Sequence, residues 1–301
     1  MNNHKPLFNQ VTIIGVGLIG GSLALAGREQ GIFNRVIGMG RNPGNLKKAK
    51  ELGVIDDYAL ESEEGVRNAD LVVIATPVSA IVPCIKNVAP HLKEGATISD
   101  VGSVKQEIVE QVDALDLQKI HFVGGHPIAG TENSGVEAAF PALFRGRKCC
   151  LTPSDKTNPA ALEEIKRLWE SLGSTVVTIE SALHDKILGA VSHLPHFIAF
   201  TLVNFLDEIN RFDNSLFEFS AGGLKDFTRI AGSDPEMWKD IALMNREHIV
   251  WLIDEYVHHL ESLKNHILDK DSESLFRTVQ RSRSVQRTII STTEPNSPQK
   301  I

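Results

Sequence analysis

A histidine between a glycine pair and a proline is the strongest candidate for proton transfer in this sequence. His126 lies in the segment Gly124–Pro127, directly after a predicted strand, so we expect a constrained backbone and a ring that points into a cleft. An imidazole with the usual pKa of about 6.5 can accept or release a proton near neutral pH. Ser103 follows another predicted strand and could orient this imidazole or a substrate oxygen, or it could only cap the next helix. Lys105 is either a charge of the same site or a solvated surface charge.

An arginine and two histidines in the C-terminal half are candidates for binding a ligand. Arg229 lies in a mainly apolar run that we predict to be helical, where a guanidinium needs an anionic partner. That partner is a substrate carboxylate, which the planar guanidinium can bind bidentately, or a protein carboxylate such as Asp226 or Glu132. His193 and His196 flank a Leu-Pro pair, but no set of carboxylates accompanies them. We therefore predict no metal site.

Three glycines form the pattern GxGxxG directly after one predicted strand and directly before one predicted helix. In such a unit the first glycine allows a tight turn, the second lets the backbone approach a pyrophosphate, and the third lets the helix pack on the strand. The helix N-terminus then faces the negative charge of the ligand. The pattern therefore predicts a dinucleotide-binding loop. The predicted cofactor contacts are Gly15, Gly17, Leu18, Ile19, Gly20, Arg41, Thr76 and Ser103.

The residues after the second predicted strand bear on which dinucleotide binds. In dinucleotide-binding folds a carboxylate at this point accepts hydrogen bonds from the ribose hydroxyls, and it repels a 2′-phosphate. Here the position is Gly40, followed by Arg41 and Asn42, and Asp56 and Asp57 come too late in the chain. Since the arginine can form a charge-assisted hydrogen bond to a phosphate, we expect NADP to be used at least as well as NAD.

Up to about residue 180 the chain alternates short β-branched runs with helical stretches. Continuous apolar strands with helices between them are typical of a parallel, doubly wound sheet that is covered on both faces. We therefore predict an α/β fold in which this Rossmann-like sheet precedes an all-α domain. Such sheets bind ligands at the carboxyl ends of their strands, which is where Ser103 and His126 are predicted. The predicted strands are Val11–Ile14, Arg35–Met39, Leu71–Ala75, Ala96–Asp100 and His121–Val123.

After about residue 180 strand-like runs disappear and long helical patterns follow. We predict a dinucleotide-binding domain at residues 1–180, a helical substrate-binding and dimerisation domain at 181–290, and a disordered tail at 291–301. The helical domain carries apolar residues at steps of three and four, which is typical of helices with one apolar face. The predicted helical segments are Leu183–Asn210, Leu216–Ile230, Pro235–Leu268 and Ser272–Arg287.

The apolar faces of the helical domain predict a homodimer. The segments Leu183–Phe205 and Leu243–Leu260 carry more apolar residues than one thin helical layer can bury. Residues that mark one face are Leu243, Ile249, Ile253, Val257 and Leu260.

The composition restricts the class of protein. The chain has 301 residues, of which 42% are hydrophobic and 23% charged, as in soluble globular proteins. Its net charge of −7 argues against a protein that mainly coats nucleic acid. The chain has no run of about 18 uninterrupted apolar residues, and residues 1–10 lack the apolar core of a signal peptide, so we expect no membrane span and a cytoplasmic location. Cys149 and Cys150 lie in an apolar run without CxxC spacing and are predicted to be buried in a strand.

The sequence resembles the prephenate dehydrogenase family, which includes the arogenate and cyclohexadienyl dehydrogenases. The resemblance extends from the glycine loop to about Arg287 and is carried by the stretches GGHPIAGTENSGVEAA, SHLPH and LKDFTRIAGSDPEMW. It implies oxidative decarboxylation of prephenate to 4-hydroxyphenylpyruvate in tyrosine biosynthesis. A hydride passes to NAD(P), carbon dioxide leaves and a phenol forms.

The family resemblance also implies roles for individual residues. His126 would take the hydroxyl proton, and Ser103 would assist it. Arg229 would bind a substrate carboxylate, and His196 would contact the substrate. The family forms homodimers through its helical domain, and its active site lies in the cleft between the domains. The further residues predicted to bind substrate are Glu132 and Asp226.

Three alternatives remain at this point. The enzyme could act on arogenate and yield tyrosine directly, but we expect prephenate to be preferred because His196 suits a keto acid better than a charged amino group. A 3-hydroxyacid dehydrogenase has a similar two-domain structure, but it depends on a lysine motif that is not evident here. A nucleotide sensor without turnover would not need His126, Ser103 and Arg229 together.

Overall fold

The computed structural model of the chain describes residues 6–117, 119–131, 133–211 and 215–293. Its contacts divide it into two compact units, Met1–Ile249 and Val250–Ile301. The first unit contains the whole sheet and also the helices that follow it up to Ile249. The domain boundary expected near residue 180 therefore stays a prediction.

One sheet of eight strands forms the centre of the first unit, in the order β3-β2-β1-β4-β5-β6-β7-β8. The strands pair in parallel from β3 to β6, which confirms the predicted doubly wound α/β fold. The pairing of β6 with β7 is antiparallel, and β8 pairs in parallel with β7, so the sheet is not parallel throughout. The strands are β1 Phe8–Ile14, β2 Phe33–Met39, β3 Asp57–Ala59, β4 Leu71–Ile74, β5 Thr97–Asp100, β6 His121–Pro127, β7 Lys148–Thr152 and β8 Thr175–Thr178.

The central strands are apolar because both faces of the sheet are covered. All four residues of β4 are buried, and successive side chains enter different cores. Leu71 and Val73 belong to the cluster on one face, whereas Val72 and Ile74 belong to the cluster on the other. This alternation follows from the two-residue period of a strand. Continuous apolar runs therefore indicated strands that are buried on both sides.

Helices connect the parallel strands and cover both faces. α1 begins at Leu18, so Gly20 and Gly21 of the glycine-rich segment lie in its first turn. α4 ends at Val88 and continues as a 3-10 turn at Ala89–His91, although Pro83 lies inside it. The helices of the sheet region are α1 Leu18–Glu29, α2 Pro43–Glu51, α3 Ser62–Val66, α4 Val78–Val88, α5 Gln106–Asp113 and α6 Pro159–Ser171.

The helical region is more interrupted than its sequence pattern predicts. A π-helical turn, Gly189–His193, joins the first two helices after the sheet. The predicted segment Leu216–Ile230 is not one helix, because 3-10 turns at Leu216–Phe219 and Arg229–Gly232 flank a short helix. Asn245 ends another helix within the predicted segment Pro235–Leu268. The helices are α7 Ser181–Leu188, α8 Leu194–Asn210, α9 Gly222–Thr228, α10 Pro235–Met244, α11 Arg246–Leu268 and α12 Ser272–Thr293.

One stretch of this region bears on the expected absence of a membrane span. The continuous helical segment Ser181–Asn210 has 30 residues and is long and apolar enough to cross a membrane by length and composition. Core helices of soluble proteins can have the same length and composition. This segment contains the buried polar residues His184 and Asp185, which have partners inside the first unit. The absence of a membrane span stays a prediction.

The second unit is built from most of α11 and from α12. The long helix α12 continues to Thr293, so the first residues of the predicted disordered tail are helical. Residues 294–301 lie outside the described residues. Large apolar side chains in this unit are exposed, among them Val257, Leu260, Phe276 and Val279. Of the residues that mark the predicted apolar face of α11, Ile253, Val257 and Leu260 are therefore exposed within the chain, whereas Ile249 is buried.

Candidate active site

The carboxyl ends of the parallel strands bring the glycine loop and the predicted proton-transfer residues to one edge of the sheet. The glycine loop follows β1, Thr76 follows β4, Ser103 follows β5, and His126 is near the end of β6. Because β1, β4, β5 and β6 are neighbours and run in parallel, these ends lie side by side. The edge therefore combines a ligand-binding loop with groups that can move a proton.

The glycine loop fits a dinucleotide pyrophosphate. Gly15 has a φ of +97°, and a Cβ there would clash with the carbonyl oxygen of Ala75. A Cβ on Gly20 would clash with the carbonyl oxygen of Gly15, whereas a Cβ on Gly17 would meet only open space. No side chain in the described part of the chain caps the N-terminus of α1, and its first turn contains no acidic residue. The uncapped N–H groups and the open space at Gly17 together suit an anionic group.

The end of β2 carries a positive charge and no carboxylate. Arg41 is exposed and forms no ion pair within the described residues. The side-chain oxygen of Asn42 accepts hydrogen bonds from the backbone N–H groups of Gly44 and Asn45 and so caps the start of α2. A Cβ on Gly40 would have only the Leu46 side chain near it, at 3.8 Å, so a larger residue can be accommodated there.

His126 is buried within the last part of β6 rather than after it. Its neighbour Pro127 ends the strand, and Cys150 of β7 lies opposite it in the antiparallel register. His126 is only 9% exposed, and burial lowers its pKa well below the usual range. The charge of Lys105, and a charge on His184 whenever that ring is protonated, act in the same direction. His126 is therefore neutral at pH 7 and can accept a proton.

A buried hydrogen-bonded chain continues from His126 into α7. Nδ1 of His126 lies 2.9 Å from Nε2 of His184, and Nδ1 of His184 lies 2.7 Å from Oδ1 of Asp185. The carboxylate of Asp185 also accepts the backbone N–H groups of Lys105, at 2.8 Å, and Gln106, at 2.9 Å. Asp185 therefore caps α5 and supports His184 at the same time.

His184 and Asp185 are functional candidates that the sequence analysis missed. They form an adjacent His-Asp pair in a helical segment that is otherwise mostly apolar. Polar side chains in an apolar segment need hydrogen-bonding partners when they are buried, so this pair could have been identified from the sequence as a candidate. It did not reveal that the partner of His184 would be His126.

Lys105 is not a solvated charge, which corrects one of the two interpretations left open for it. Its side chain is fully buried and pairs with the carboxylate of Asp100, which is also fully buried. Asp100 further accepts the backbone N–H groups of Gly102, at 2.8 Å, and Gly125, at 3.2 Å. The pair therefore holds the loop after β5 against the segment that carries His126.

Ser103 lies between Asp100 and Lys105 in the sequence, and it is half-buried. Within the described residues no hydrogen bond joins its hydroxyl to His126. It also does not cap α5, because the side chain that accepts the N–H groups at that helix start is Asp185. Its hydroxyl is thus available to a ligand at the carboxyl edge, and its catalytic role stays a prediction.

His196 lies against an aromatic cluster on α8 and α10. Its ring stacks on Trp238 with 4.0 Å between ring centroids, and its Nδ1 lies 2.8 Å from the carbonyl oxygen of Ser192. Burial lowers the pKa of His196, and the charge of Arg229 lowers it further. Trp238 is buried, as expected of a core aromatic residue, and its indole nitrogen has no partner in the described part of the chain.

Arg229 is exposed, although it follows a mainly apolar run in the sequence. It begins the 3-10 turn Arg229–Gly232 at the end of α9, and it forms no ion pair within the described residues. Asp226 is also exposed and is not its partner there. Glu132, the other carboxylate considered, lies outside the described residues. Among the described residues Arg229 therefore has no anionic partner, and its charge acts on His196.

No metal centre is evident among the residues that the structure describes, which hold no group of three or more His, Cys, Asp or Glu side chains suited to a metal ion. His193 instead accepts a hydrogen bond from Asn245, at 3.0 Å between the two nitrogens. Cys149 and Cys150 are buried in β7, as predicted.

Comparisons with known proteins give the same picture for both parts of the chain. The family profile described as prephenate dehydrogenase, nucleotide-binding domain, matches residues 23–178, and the one described as prephenate dehydrogenase, dimerization domain, matches residues 180–281. A prephenate dehydrogenase of Bacillus subtilis (strain 168) is 37% identical over 92% of this chain and 74% of its own length. A cyclohexadienyl dehydrogenase of Zymomonas mobilis is 32% identical over 94% of this chain and 97% of its own length.

A solved structure agrees with this assignment. The crystal structure of prephenate dehydrogenase from A. aeolicus, in complex with hydroxyphenyl propionate and NAD+, has a TM-score of 0.88 and 39% sequence identity. The match covers 93% of this chain and 98% of that chain. With both domains matched in order over nearly the whole length, this chain belongs to the prephenate dehydrogenase family of oxidoreductases.

Proposed function

We propose that this protein catalyses the oxidative decarboxylation of prephenate to 4-hydroxyphenylpyruvate, with transfer of a hydride to NAD(P). The observation that carries the proposal is a buried, neutral His126 at the same sheet edge as an uncapped glycine loop. One group can take a proton and the other can hold a dinucleotide, and a prephenate dehydrogenase needs both. The relatives with this name, at 37% and 39% identity, support the same substrate.

The role of His126 follows from the balance of the reaction. The ring carbon that bears the hydroxyl loses a hydride, the hydroxyl proton passes to His126, and the ring carboxylate leaves as carbon dioxide. The electron pair of the broken C–C bond completes the aromatic ring as a phenolate, which takes a proton back from His126 to give the phenol. A bound nicotinamide supplies the hydride acceptor. Because aromatisation of the ring favours the reaction strongly, the protein mainly has to position the substrate and remove one proton. The lowered pKa keeps His126 ready to accept that proton at neutral pH.

The second carboxylate of prephenate requires a cationic or hydrogen-bonding partner outside the proton-transfer site. Arg229 has no protein carboxylate bound in the described part of the chain and can form a bidentate contact. The charge of Arg229 contributes to lowering the pKa of His196, so the two side chains are close. The contact with Ser192 uses Nδ1 of His196 and leaves its Nε2 for the substrate. We assign Arg229 and His196 to substrate binding, with Ser103 beside the substrate hydroxyl and Asp226 and Glu132 as further contacts.

The nicotinamide cofactor that we propose is NADP at least as readily as NAD. The support is the exposed Arg41, which has no protein carboxylate in the described residues, together with Gly40 in place of an acid. Gly15, Gly17, Leu18, Ile19, Gly20 and Thr76 would hold the pyrophosphate and the adjoining ribose. The A. aeolicus relative was crystallised with NAD+, so both cofactors have to be measured.

Prephenate is proposed as the preferred substrate over arogenate. The side chain of prephenate ends in a keto acid, whereas that of arogenate carries a positively charged amino group. Arg229 is a cation next to His196, and it disfavours a second cation at that place. The cyclohexadienyl dehydrogenase relative, at 32% identity, makes arogenate the necessary comparison.

A second copy of the chain is the partner that we propose. The apolar residues Leu183, Ile187, Val191 and Phe205 of α7, α8 and the turn between them are exposed in the single chain. Exposed apolar surface of this extent is typical of an interface. The family profile named for dimerization covers these helices.

The decisive experiment is an initial-rate assay of the purified protein with prephenate at saturating NAD or NADP. We expect the absorbance of the reduced nicotinamide to rise with stoichiometric formation of 4-hydroxyphenylpyruvate, which is checked by chromatography. Parallel assays use arogenate and a 3-hydroxyacid. Reduction of neither cofactor with prephenate would refute the proposed function, and a higher kcat/KM for arogenate would refute the substrate preference.

A further inference from the structure

Asp185 determines which nitrogen of His184 carries hydrogen. Its carboxylate accepts two backbone N–H groups, from Lys105 and Gln106, so both of its oxygens already act as acceptors. An ionised carboxylate can only accept hydrogen bonds. The contact of 2.7 Å to Nδ1 of His184 therefore requires a hydrogen on that nitrogen. His184 is completely buried, and a neutral ring then has a lone pair on Nε2.

The same reasoning extends to His126. Nε2 of His184, which bears the lone pair, lies 2.9 Å from Nδ1 of His126. The contact is then a hydrogen bond only if Nδ1 of His126 carries the hydrogen. We infer that His184 and Asp185 are positioning residues that hold His126 as the Nδ1–H tautomer, so that its Nε2 is the atom that accepts the substrate proton. The inference rests on the proposed function, in which His126 is the base.

The arrangement also stabilises the product of proton transfer. After Nε2 of His126 takes a proton, its Nδ1–H still donates to His184, whose own N–H still donates to the carboxylate of Asp185. The positive charge therefore faces a polarised chain that ends in an anion. This offsets part of the repulsion from Lys105, whose charge is itself neutralised by Asp100.

The hydrogen-bonded series His126, His184 and Asp185 is also supported at Asp185, the end away from His126. The side-chain amide of Asn245 donates to the carbonyl oxygen of Asp185, at 2.9 Å, and to Nδ1 of His193, at 3.0 Å. Its amide oxygen lies 3.0 Å from Nδ1 of His248. Asn245 is buried, and all of these residues belong to the first unit. Rigid support of this kind is what an oriented general base requires.

A purely structural interpretation assigns Asp185 only to capping α5 and His184 only to filling space. It predicts no particular tautomer of His126. The alternative electrostatic interpretation is a cationic His184, which would donate from Nε2 and force His126 into the Nε2–H form. Which ring nitrogen of His126 carries the hydrogen therefore distinguishes the inference from both alternatives.

The first test is nitrogen-15 NMR of the full-length protein labelled in histidine, at pH 8 and without substrate. Long-range proton–nitrogen correlations identify the protonated nitrogen of each ring, and the spectrum of His126→Asn assigns the signals of His126. We expect a protonated Nδ1 and an unprotonated Nε2. A protonated Nε2, or equal populations of both forms, would overturn the inference. This result does not depend on which substrate the enzyme uses.

The second test compares His184→Gln with His184→Leu in steady-state kinetics. Glutamine can accept from His126 and donate to Asp185, whereas leucine can do neither. We expect His184→Leu to lower kcat about 100-fold or more, since the base loses its orientation, and His184→Gln to stay within about 10-fold of the parent. In both variants KM for substrate and for cofactor should change less than about 3-fold, since His184 contacts neither of them.

Equal losses of kcat in the two variants, or unchanged kcat in His184→Leu, would contradict the inference. Thermal unfolding of both variants shows whether leucine disturbs the fold, and the NMR result on the parent protein decides in that case. If the parent protein does not oxidise prephenate, the proposed function fails, while the tautomer of His126 is still measured.

Discussion

At the scale of single residues, His126 is the group whose removal should affect chemistry without affecting nucleotide binding. We predict that His126→Asn lowers kcat by about 10² to 10⁴, because the general base is lost. Initial rates give kcat, and quenching of tryptophan fluorescence gives the Kd of the reduced cofactor. That Kd should change little, since the glycine loop is on β1 and α1. Turnover within tenfold of the parent would exclude His126 as the base.

Arg229 should act on substrate affinity instead. Loss of a charge-assisted contact that is present in the bound ground state raises KM and leaves kcat less affected. We predict that Arg229→Ala raises KM for prephenate by about 10-fold or more, as expected for about 1.5–3 kcal/mol of binding. Arg167→Ala is the matched control, because Arg167 is also exposed but is on α6. An unchanged KM would reassign Arg229 to another role.

His193 should make stability depend on pH. Burial desolvates the ring of His193 and lowers its pKa to about 4. Its Nδ1 accepts a hydrogen bond from the Asn245 amide. Above pH 6.5 the ring is neutral in both folded and unfolded chains. As the pH falls from about 6.5 to 4, only the unfolded chain binds the proton, so the folded state loses roughly 3 kcal/mol.

Urea unfolding at a fixed protein concentration, between pH 7.5 and 4.5, measures this loss. In His193→Gln, which can still accept from Asn245 but does not titrate, the free energy of unfolding should fall less steeply over the same range. The pKa of His126 is lowered too, so some slope remains in the variant. Identical slopes in the two proteins would show that His193 is not responsible.

At the scale of elements, the end of β2 should determine the cofactor. We predict that Gly40→Asp shifts the ratio of kcat/KM values toward NAD, because a carboxylate there binds ribose hydroxyls and repels a 2′-phosphate. The backbone has room for the change, since a Cβ would approach only Leu46 at 3.8 Å. Rates with both cofactors measure the ratio.

Arg41→Ala is the companion variant. It should weaken NADP and leave NAD nearly unchanged, since only NADP has the phosphate that Arg41 would bind. Strict dependence of the parent protein on NAD would contradict the interpretation of both positions.

The elements themselves were predictable to different degrees. β-Branched apolar runs and the glycine pattern indicated β1, β4 and β5 correctly, since burial on both faces leaves a strong local pattern. The antiparallel pairing of β7 with β6 leaves no such pattern, because strand direction depends on a connection through residues 128–147. The breaks around α9 were missed, since periodicity of apolar residues extends across 3-10 turns.

At the scale of the whole molecule, the exposed apolar helices should pair two chains. We predict a homodimer in sedimentation velocity at micromolar concentration. Val191→Glu, at an exposed apolar position between α7 and α8, should shift the protein toward monomer, because a charge cannot be buried there without a partner. Leu60→Glu is the matched control at an exposed leucine of the sheet region, and it should remain dimeric. A monomeric parent protein would contradict the prediction.

Local patterns in the chain were sufficient for the α/β fold, the dinucleotide loop and the placement of Ser103 and His126 at one sheet edge. Each of these follows from residues close together in sequence, or from the rule that parallel strands end on the same side. The family resemblance added the expected roles of Arg229 and His196. These inferences needed no knowledge of which helices pack together.

The partners of His126 were decided by packing alone. His184 is 58 residues away from it, and Lys105 and Asp185 are 80 residues apart, so neither contact leaves a pattern in a short window of sequence. The exposure of Arg229 and the burial of Lys105 were decided in the same way. A polar side chain at a given position can be solvated or buried, and only the elements packed around it determine which state costs less free energy.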